Sequence, residues 1–187
     1  MELKNDEVLN SRIITLTGTI TTLNIDETIQ KIIYLNSLNT LPIQLIINSC
    51  GGELQSTFAL IDIIRTSTSP VNTVGLGLIA SGGLLVFMAG KERKLTANTQ
   101  ILSHRFSGWS YGKHNELLSE RKQQDICHDM MINYYKSVTG LNKKELEGYL
   151  LRESDTWLTP NEAVNYKIAT KVVDTIYDSK PKMINKK

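Results

Sequence analysis

The chain has 187 residues, 41% hydrophobic and 21% charged, with a formal net charge of +2. That size and balance fit one ordinary globular domain with a real core, and the small net charge gives no argument for nucleic acid or an anionic membrane as partner. The opening MELKNDEVLN is polar, mixed in charge and without an apolar h-region, so it does not read as a secretory signal. Cys50 and Cys127 are too few for a disulfide framework. His104, His114 and His128 fall in no zinc-binding spacing. A reducing cytosol is therefore expected, and a structural zinc is not.

Arg12 to Gly18 alternates, is β-branched and predicts a first strand ended by Gly18. Ile25, Ile29, Ile32, Ile33 and Leu35 recur at helical spacing, with Asn24 as the expected cap. Pro42 precedes a short buried strand, Ile43 to Asn48, and Ser49-Cys50-Gly51-Gly52 reads as a tight turn. A helix follows through Phe58, Leu60, Ile61, Ile63 and Ile64.

The central stretch, Val74 to Gly90, is apolar, uncharged and carries five glycines around a single serine, Ser81. Val71 to Leu78 predicts a buried strand; Leu84, Leu85, Phe87 and Met88 predict a buried helix. A membrane span is set aside because Thr66 to Thr73 is polar and contains Pro70, and the remainder is glycine-broken. A serine at a strand-to-helix turn has two readings. It is either a plain N-cap or a nucleophile beside the free N–H groups that an oxyanion needs.

Lys94 to Thr96 and Thr99 to Ser103 predict two short strands, ending at His104. Arg105 to Gly112 is a glycine-punctuated aromatic loop containing Trp109 and Tyr111. Lys113 to Val138 predicts a long helix with apolar pairs and a heavily charged first half, either projecting or with one solvated face. Leu141 to Leu151 predicts another helix, and Thr159-Pro160 opens a last one to Tyr166. Val172 to Tyr177 predicts a terminal strand, and the lysine-rich residues 179–187 a disordered tail. The order of elements predicts an α/β architecture with helices on a largely parallel sheet. Residues 11–178 form the expected domain, preceded by a short segment, 1–10.

Ser81, His104 and Asp155 each lie at a strand end or in a loop, which suits a triad defined by geometry rather than by sequence distance. Four segments strengthen this reading. Ile46-Ile47-Asn48-Ser49-Cys50-Gly51-Gly52 resembles the INSPGG segment of ClpP, the proteolytic subunit of the Clp protease. Gly77-Leu78-Ile79-Ala80-Ser81-Gly82-Gly83 resembles that family's G-x-A-A-S-M-G nucleophile segment, and Ile101-Leu102-Ser103-His104 its M-I-H strand end. Asp155-Thr156-Trp157-Leu158-Thr159-Pro160-Asn161-Glu162-Ala163 is similar to D-x-F-[LM]-[ST]-A-x-E-A.

The resemblance implies a crotonase/ClpP-like fold and a serine endopeptidase. Ser81 would be nucleophile, His104 general base and Asp155 its orienting acid, with the backbone N–H groups of Gly52 and Gly82 as oxyanion hole. Glycine at 52 would spare the substrate backbone a clash. The helix from Lys113 would be the family's handle. Partners implied are a homo-oligomeric double heptamer or a mixed ring with another subunit of the family, a hexameric AAA+ unfoldase, and peptides or unfolded proteins as substrates. No nucleic acid, membrane, metal or cofactor is implied. The expected setting is the cytoplasm, with an organelle stroma or virus-infected host cell as alternatives.

Departures from the family pattern are Cys50 for proline, Arg105-Phe106 for Gln-Pro, Ser154 for arginine and Lys167 for glycine. The few residues before the first strand imply a reduced axial loop, hence ATP-independent cleavage of small peptides and weak unfoldase coupling. Rival readings are a catalytically silent ring subunit, which would have lost triad residues, and a crotonase-type acyl-CoA enzyme, which would place carboxylates at the site. Cys50 reads as a turn filler, and His114 and His128 as solvent-facing. The handle reading carries a test. Replacing Met130 and Met131 with Asp is expected to give smaller particles in analytical ultracentrifugation, because it places charge in an apolar contact.

Overall fold

The computed structural model describes residues 11–108 and 111–176. The segment 1–10, Trp109, Tyr177 and the tail 179–187 lie outside the described residues, so the expectations about them do too.

Strand β1 (Ile13–Ile20) is followed by α1 (Thr22–Leu38), β2 (Ile43–Gly52), α2 (Leu54–Thr66), β3 (Val71–Ala80) and α3 (Gly82–Met88). Strands β4 (Arg93–Thr96) and β5 (Gln100–Ser103) precede α4 (His114–Thr139), α5 (Lys143–Tyr149), β6 (Thr156–Leu158), α6 (Pro160–Asn165) and β7 (Lys171–Val173). All seven strands join one sheet, parallel throughout except for the antiparallel β5–β6 pair. The expected α/β architecture is the observed one. Ile14, Leu16, Leu45, Ile47, Leu60, Ile61, Leu84, Phe87 and Leu95 belong to one continuous core beneath it.

The sheet forks at β3. Its first half, Thr73 to Gly75, pairs with β4 and through β4 with β7. Its second half, Leu78 to Ala80, pairs instead with β5, which carries β6 on its far side. Between β2 and β3 the register slips after Ile47, and Asn48 Oδ1 accepts from Leu78 N at 3.1 Å. A side chain thus replaces the backbone partner that the slip removes, leaving the amide satisfied.

Several local expectations are corrected. Ser49 to Gly52 is not a turn. It continues β2, because Thr19 and Ile20 extend β1 past Gly18 and pair with Gly51 and Gly52. Helix α1 is capped by Thr21 rather than Asn24; Asn24 sits three residues into a reciprocal box and bonds back to Thr21 N at 2.9 Å. The last helix starts as expected, with Thr159 as cap, Pro160 first and Glu162 accepting from Thr159 N at 2.8 Å. Lys167, standing where the family has glycine, keeps a left-handed backbone with φ 60°.

The long helix divides in function. None of residues 114–126 is buried, whereas Cys127, Met131, Ile132, Tyr134, Tyr135 and Thr139 are. Its first half is exposed or half-buried throughout, and its second half buries one face in the core. Met131, at 4% exposure, belongs to that core, unlike Met130 at 42%. The double replacement at 130 and 131 would therefore disrupt the subunit itself. A test of contacts made by the outer row needs Leu118, Ile126 and Met130, all exposed.

Arg12 clasps the sheet's edge. Buried to 9% exposure, it donates to the carbonyls of Leu35 (3.1 Å), Leu41 (2.7 Å) and Pro42 (3.2 Å), and to Ser69 Oγ (3.0 Å). One guanidinium thus ties the end of α1 to the loops before β2 and β3. Removing it strands several acceptors at once. Arg12→Met is expected to cost about 3 kcal/mol. Urea denaturation checks this; a midpoint equal to that of the wild type would show that the clasp adds nothing.

Candidate active site

The turn after β3 is held in an uncommon conformation. Ser81 has φ 54° and ψ −125°, a left-handed backbone costing about 1–3 kcal/mol for a residue with a side chain. Its N–H donates to Leu102 O at 3.1 Å, and its own carbonyl accepts the first helical bonds, from Leu84 and Leu85 at 3.0 and 3.2 Å. The side chain makes no capping bond. That removes the plain-cap reading, and the hydroxyl is left half-buried at the mouth of a cleft. The following helix is buried at every one of its seven positions, so it anchors the turn from below.

Strand β5 runs beside this turn and delivers His104 one residue past its end. Ser81, Gly52, Gly82 and His104 line the same cleft. Asp155 is reached through β6. Ser103 pairs with Thr156 and Ile101 with Leu158, so the next antiparallel step sets His104 opposite Asp155. The register therefore brings the three candidate side chains to one corner. It does not bond them here. His104 Nδ1 lies 2.5 Å from the carbonyl oxygen of Arg105, and exposed Asp155 makes no hydrogen bond or ion pair among the described residues.

The two glycines expected as oxyanion donors do meet. Glu53 N donates to Ile20 O at 3.2 Å, so the alternating backbone turns the neighbouring Gly52 N–H away from β1. A methyl group built on Gly82 would lie 3.5 Å from Gly52 N. Gly82 opens α3, where backbone N–H groups lack helical acceptors. The sheet by itself requires glycine at 52. A methyl there would overlap the carbonyl of Ile20 on β1, so the constraint comes from the sheet. Gly51 is the neighbour that sequence reasoning passed over. It has φ 88°, and a methyl on it would stand 2.6 Å from Ser81 Cβ and 2.8 Å from Gly82 N. The Gly-Gly pair was the available signal.

The Clp protease family model matches residues 3–176. The chain belongs to the Clp protease family. It is 33% identical over 173 residues to ATP-dependent Clp protease proteolytic subunit 1 of Protochlamydia amoebophila, covering 90% of this chain and 83% of that protein. It is 28% identical over 167 residues to proteolytic subunit 2 of Pseudomonas aeruginosa, covering 88% and 82%. Its fold is similar to that of the ClpP1 N165D mutant from Listeria monocytogenes, with TM-score 0.83 at 23% identity over 93% of this chain and 98% of that one. The protein is a serine protease of the ClpP type. Among the described residues no group of His, Cys, Asp or Glu is placed to hold a metal ion, and no helix is long and apolar enough to cross a membrane.

The Clp protease cleft is lined as well by residues that sequence reasoning did not single out for it. These are Leu54, Leu85, Phe106, Ser107, Met131 and Tyr135. Arg105, one of the departures from the family pattern, ties the loop above the cleft by donating to Leu151 O at 2.8 Å. Tyr135 is buried, and its hydroxyl lies 2.8 Å from Ser103 Oγ, directly behind His104 in the chain. Burial pushes the Tyr135 phenol up to about 12, opposed in part by the Ser103 hydrogen bond. Burial also raises Tyr134, which donates to Leu85 O at 3.0 Å.

For Tyr135 the raised value belongs to the folded state. The stability held by its neutral form is complete below the unfolded tyrosine value of about 10 and is lost as pH rises towards 12. Urea midpoints should therefore hold steady to about pH 9.5 and fall above it. In Tyr135→Phe the fall should be shallower. An unchanged slope in that variant would show that another group governs alkaline unfolding.

Proposed function

We propose that Ser81, His104 and Asp155 are the catalytic triad of this protease, and that Gly52 and Gly82 donate its oxyanion hole. The observation that carries the proposal is the strand register. The Ser81 amide is bonded to Leu102 on β5, while the β5–β6 ladder sets His104 opposite Asp155 one step beyond its last pair.

In this reading Ser81 Oγ attacks the scissile carbonyl and His104 Nε2 takes its proton. The negative charge developing on the carbonyl oxygen falls on the N–H groups of Gly52 and Gly82, which are set before the reaction begins. The intermediate then expels the amine, which receives the proton from His104. Water, activated by the same imidazole, hydrolyses the acyl ester and restores Ser81. For the imidazole to act as a base on Ser81, its Nδ1 must carry the proton and point to Asp155. The active arrangement therefore exchanges the bond between Nδ1 and Arg105 O for one to Asp155. That exchange is a rotation of one side chain about a β5 end that the sheet already holds.

The outer half of α4, with Leu118, Ile126 and Met130 exposed, is the surface by which this subunit meets another ring. Burial of that row against an equivalent one removes apolar area from water at about 25 cal/mol per Å2. We assign the particle as heptameric rings stacked in pairs, either of this subunit alone or mixed with a second one. Its substrates are peptides or unfolded chains, and a hexameric AAA+ unfoldase is the candidate partner; the relatives' names describe those proteins as subunits of an ATP-dependent protease. Residues 11–178 form the peptidase domain, working in a reducing cytoplasm that suits the free thiols of Cys50 and Cys127.

Treating the assembled particle with a fluorophosphonate and mapping the adduct by mass spectrometry tests the assignment. Modification is expected at Ser81 and lost in Ser81→Ala, which also abolishes peptide cleavage without unfolding the chain. Asp155→Asn should lower kcat on the order of 10⁴-fold while leaving the fold intact. An assembled particle that shows no adduct at Ser81 would instead favour a silent ring subunit.

A further inference from the structure

The β5–β6 ladder ends one step short of the residues it has to align. Its last pair is Ser103 with Thr156, and His104 and Asp155 both lie beyond it. The segment leading to Asp155, residues 152–155, belongs to no helix or strand and is exposed throughout. Strand pairing alone therefore does not fix how far the Asp155 carboxylate stands from the imidazole. That distance matters, because a misplacement of about 1 Å in a catalytic constellation costs on the order of 10²-fold in rate.

A side chain closes the gap. Arg105, the residue after His104, donates from Nε to Leu151 O at 2.8 Å. The acceptor is a firm anchor: Leu151 is wholly buried, and its own N–H bonds to Leu146 O at 2.7 Å where α5 ends. His104 and Asp155 thus lie within a loop of chain closed at one end by the Ser103–Thr156 pair and at the other by the Arg105–Leu151 bond. The donor is ionised, which makes this bond stronger than one between neutral groups. Arg105 is also the residue whose carbonyl oxygen engages His104 Nδ1. Its tie therefore fixes both the peptide from which the imidazole turns and the segment towards which it turns.

We propose that Arg105 is a positioning residue for the protease: by holding Leu151 it keeps the Asp155 segment within reach of His104, so that a side-chain rotation suffices to align the triad. This rests on the roles proposed for Ser81, His104 and Asp155. It goes beyond them by naming the bond that sets the separation of His104 and Asp155. Among the described residues Arg105 does not itself line the cleft, so its loss leaves the surface that meets substrate in place. The effect falls on the chemical step rather than on binding.

The experiment measures kcat and KM for a fluorogenic peptide with the assembled full-length protein. Arg105→Met keeps an unbranched stem and removes the donor. It is expected to lower kcat on the order of 10²-fold with KM little changed. Arg105→Gln sets a neutral N–H as many bonds from the backbone as Nε, and should recover most of the loss. Both variants are also made together with Asp155→Asn. There the imidazole has already lost its orienting acid, so Arg105→Met should take away little more. A structural defect elsewhere would lower kcat by the same factor in both backgrounds. Arg105 is exposed, so neither variant removes core volume, and Arg105→Ala repeats the deletion should the Met variant not assemble. A wild-type particle that reacts with fluorophosphonate at Ser81, beside an Arg105→Met particle of equal kcat, overturns this inference alone. So does a Gln variant no better than Met, or a Met effect of the same size in the Asp155→Asn background. A wild-type particle that neither reacts nor cleaves overturns the triad assignment and this inference with it.

Discussion

Ser81 holds a left-handed backbone between a strand and a helix, and the rest of the site depends on that strain being maintained. A residue with a side chain leaves this conformation unless its surroundings enforce it. Three contacts do so here. The Leu102 carbonyl takes the Ser81 amide, the wholly buried helix Gly82–Met88 fixes the chain after it, and Gly51 lets β2 lie against its Cβ. Each comes from a different element, so the turn reports on the assembly of the whole sheet end. It also explains why the hydroxyl caps nothing: the same geometry that strains the backbone lifts the side chain off the helix.

The forked sheet separates support from chemistry. Below the fork, β4 and β7 extend the parallel sheet, and Arg93 donates to the carbonyls of Lys167 and Ile168 just before β7 and to that of Gly90 just before β4. Above it, β5 and β6 form a small antiparallel pair whose only described strand partner is the end of β3. Residues placed on that pair are aimed at Ser81 by backbone bonds rather than by loops, which confines them to a narrow range of positions. The long helix makes a similar division along its length. Its second half contributes Met131 and Tyr135 to the lining of the cleft and its first half is largely exposed, so one element carries both a wall of the cleft and an outward surface.

Much of the fold was legible from periodicity. The apolar run at β3, the buried helix after it, the amphipathic second half of α4 and the Thr159-Pro160 helix start all follow from local spacing and capping chemistry. Ser81, His104, Asp155, Gly52 and Gly82 were all named from motifs, and four of them line one cleft while the β5–β6 register sets Asp155 opposite His104. Three features escaped. The Ser-Cys-Gly-Gly stretch reads as a turn because glycine and serine favour turns, yet it is strand because β1 continues beside it. Strand β6 has three residues, too few for alternation to register. Tyr135 looks like one more apolar helical position, and nothing in its neighbours along the chain marks it as part of a cleft's lining.

What the sequence determined alone was therefore everything set by neighbours a few residues apart: helix faces, caps, buried runs, and the residue types able to carry acyl transfer. Tertiary structure decided the rest, because it turns on pairing between segments far apart in the chain. The direction of the Gly52 N–H depends on Ile20, the setting of Ser81 on Leu102, the placing of Asp155 on Ser103, and the lining of the cleft in part on Tyr135. None of these partners lies within a helical turn or a hairpin of the residue it governs. A strand's register shifts every side chain and every amide direction by one place at a time. Local pattern specifies that a strand exists there; only the partner strand specifies where it stops and which way each group points.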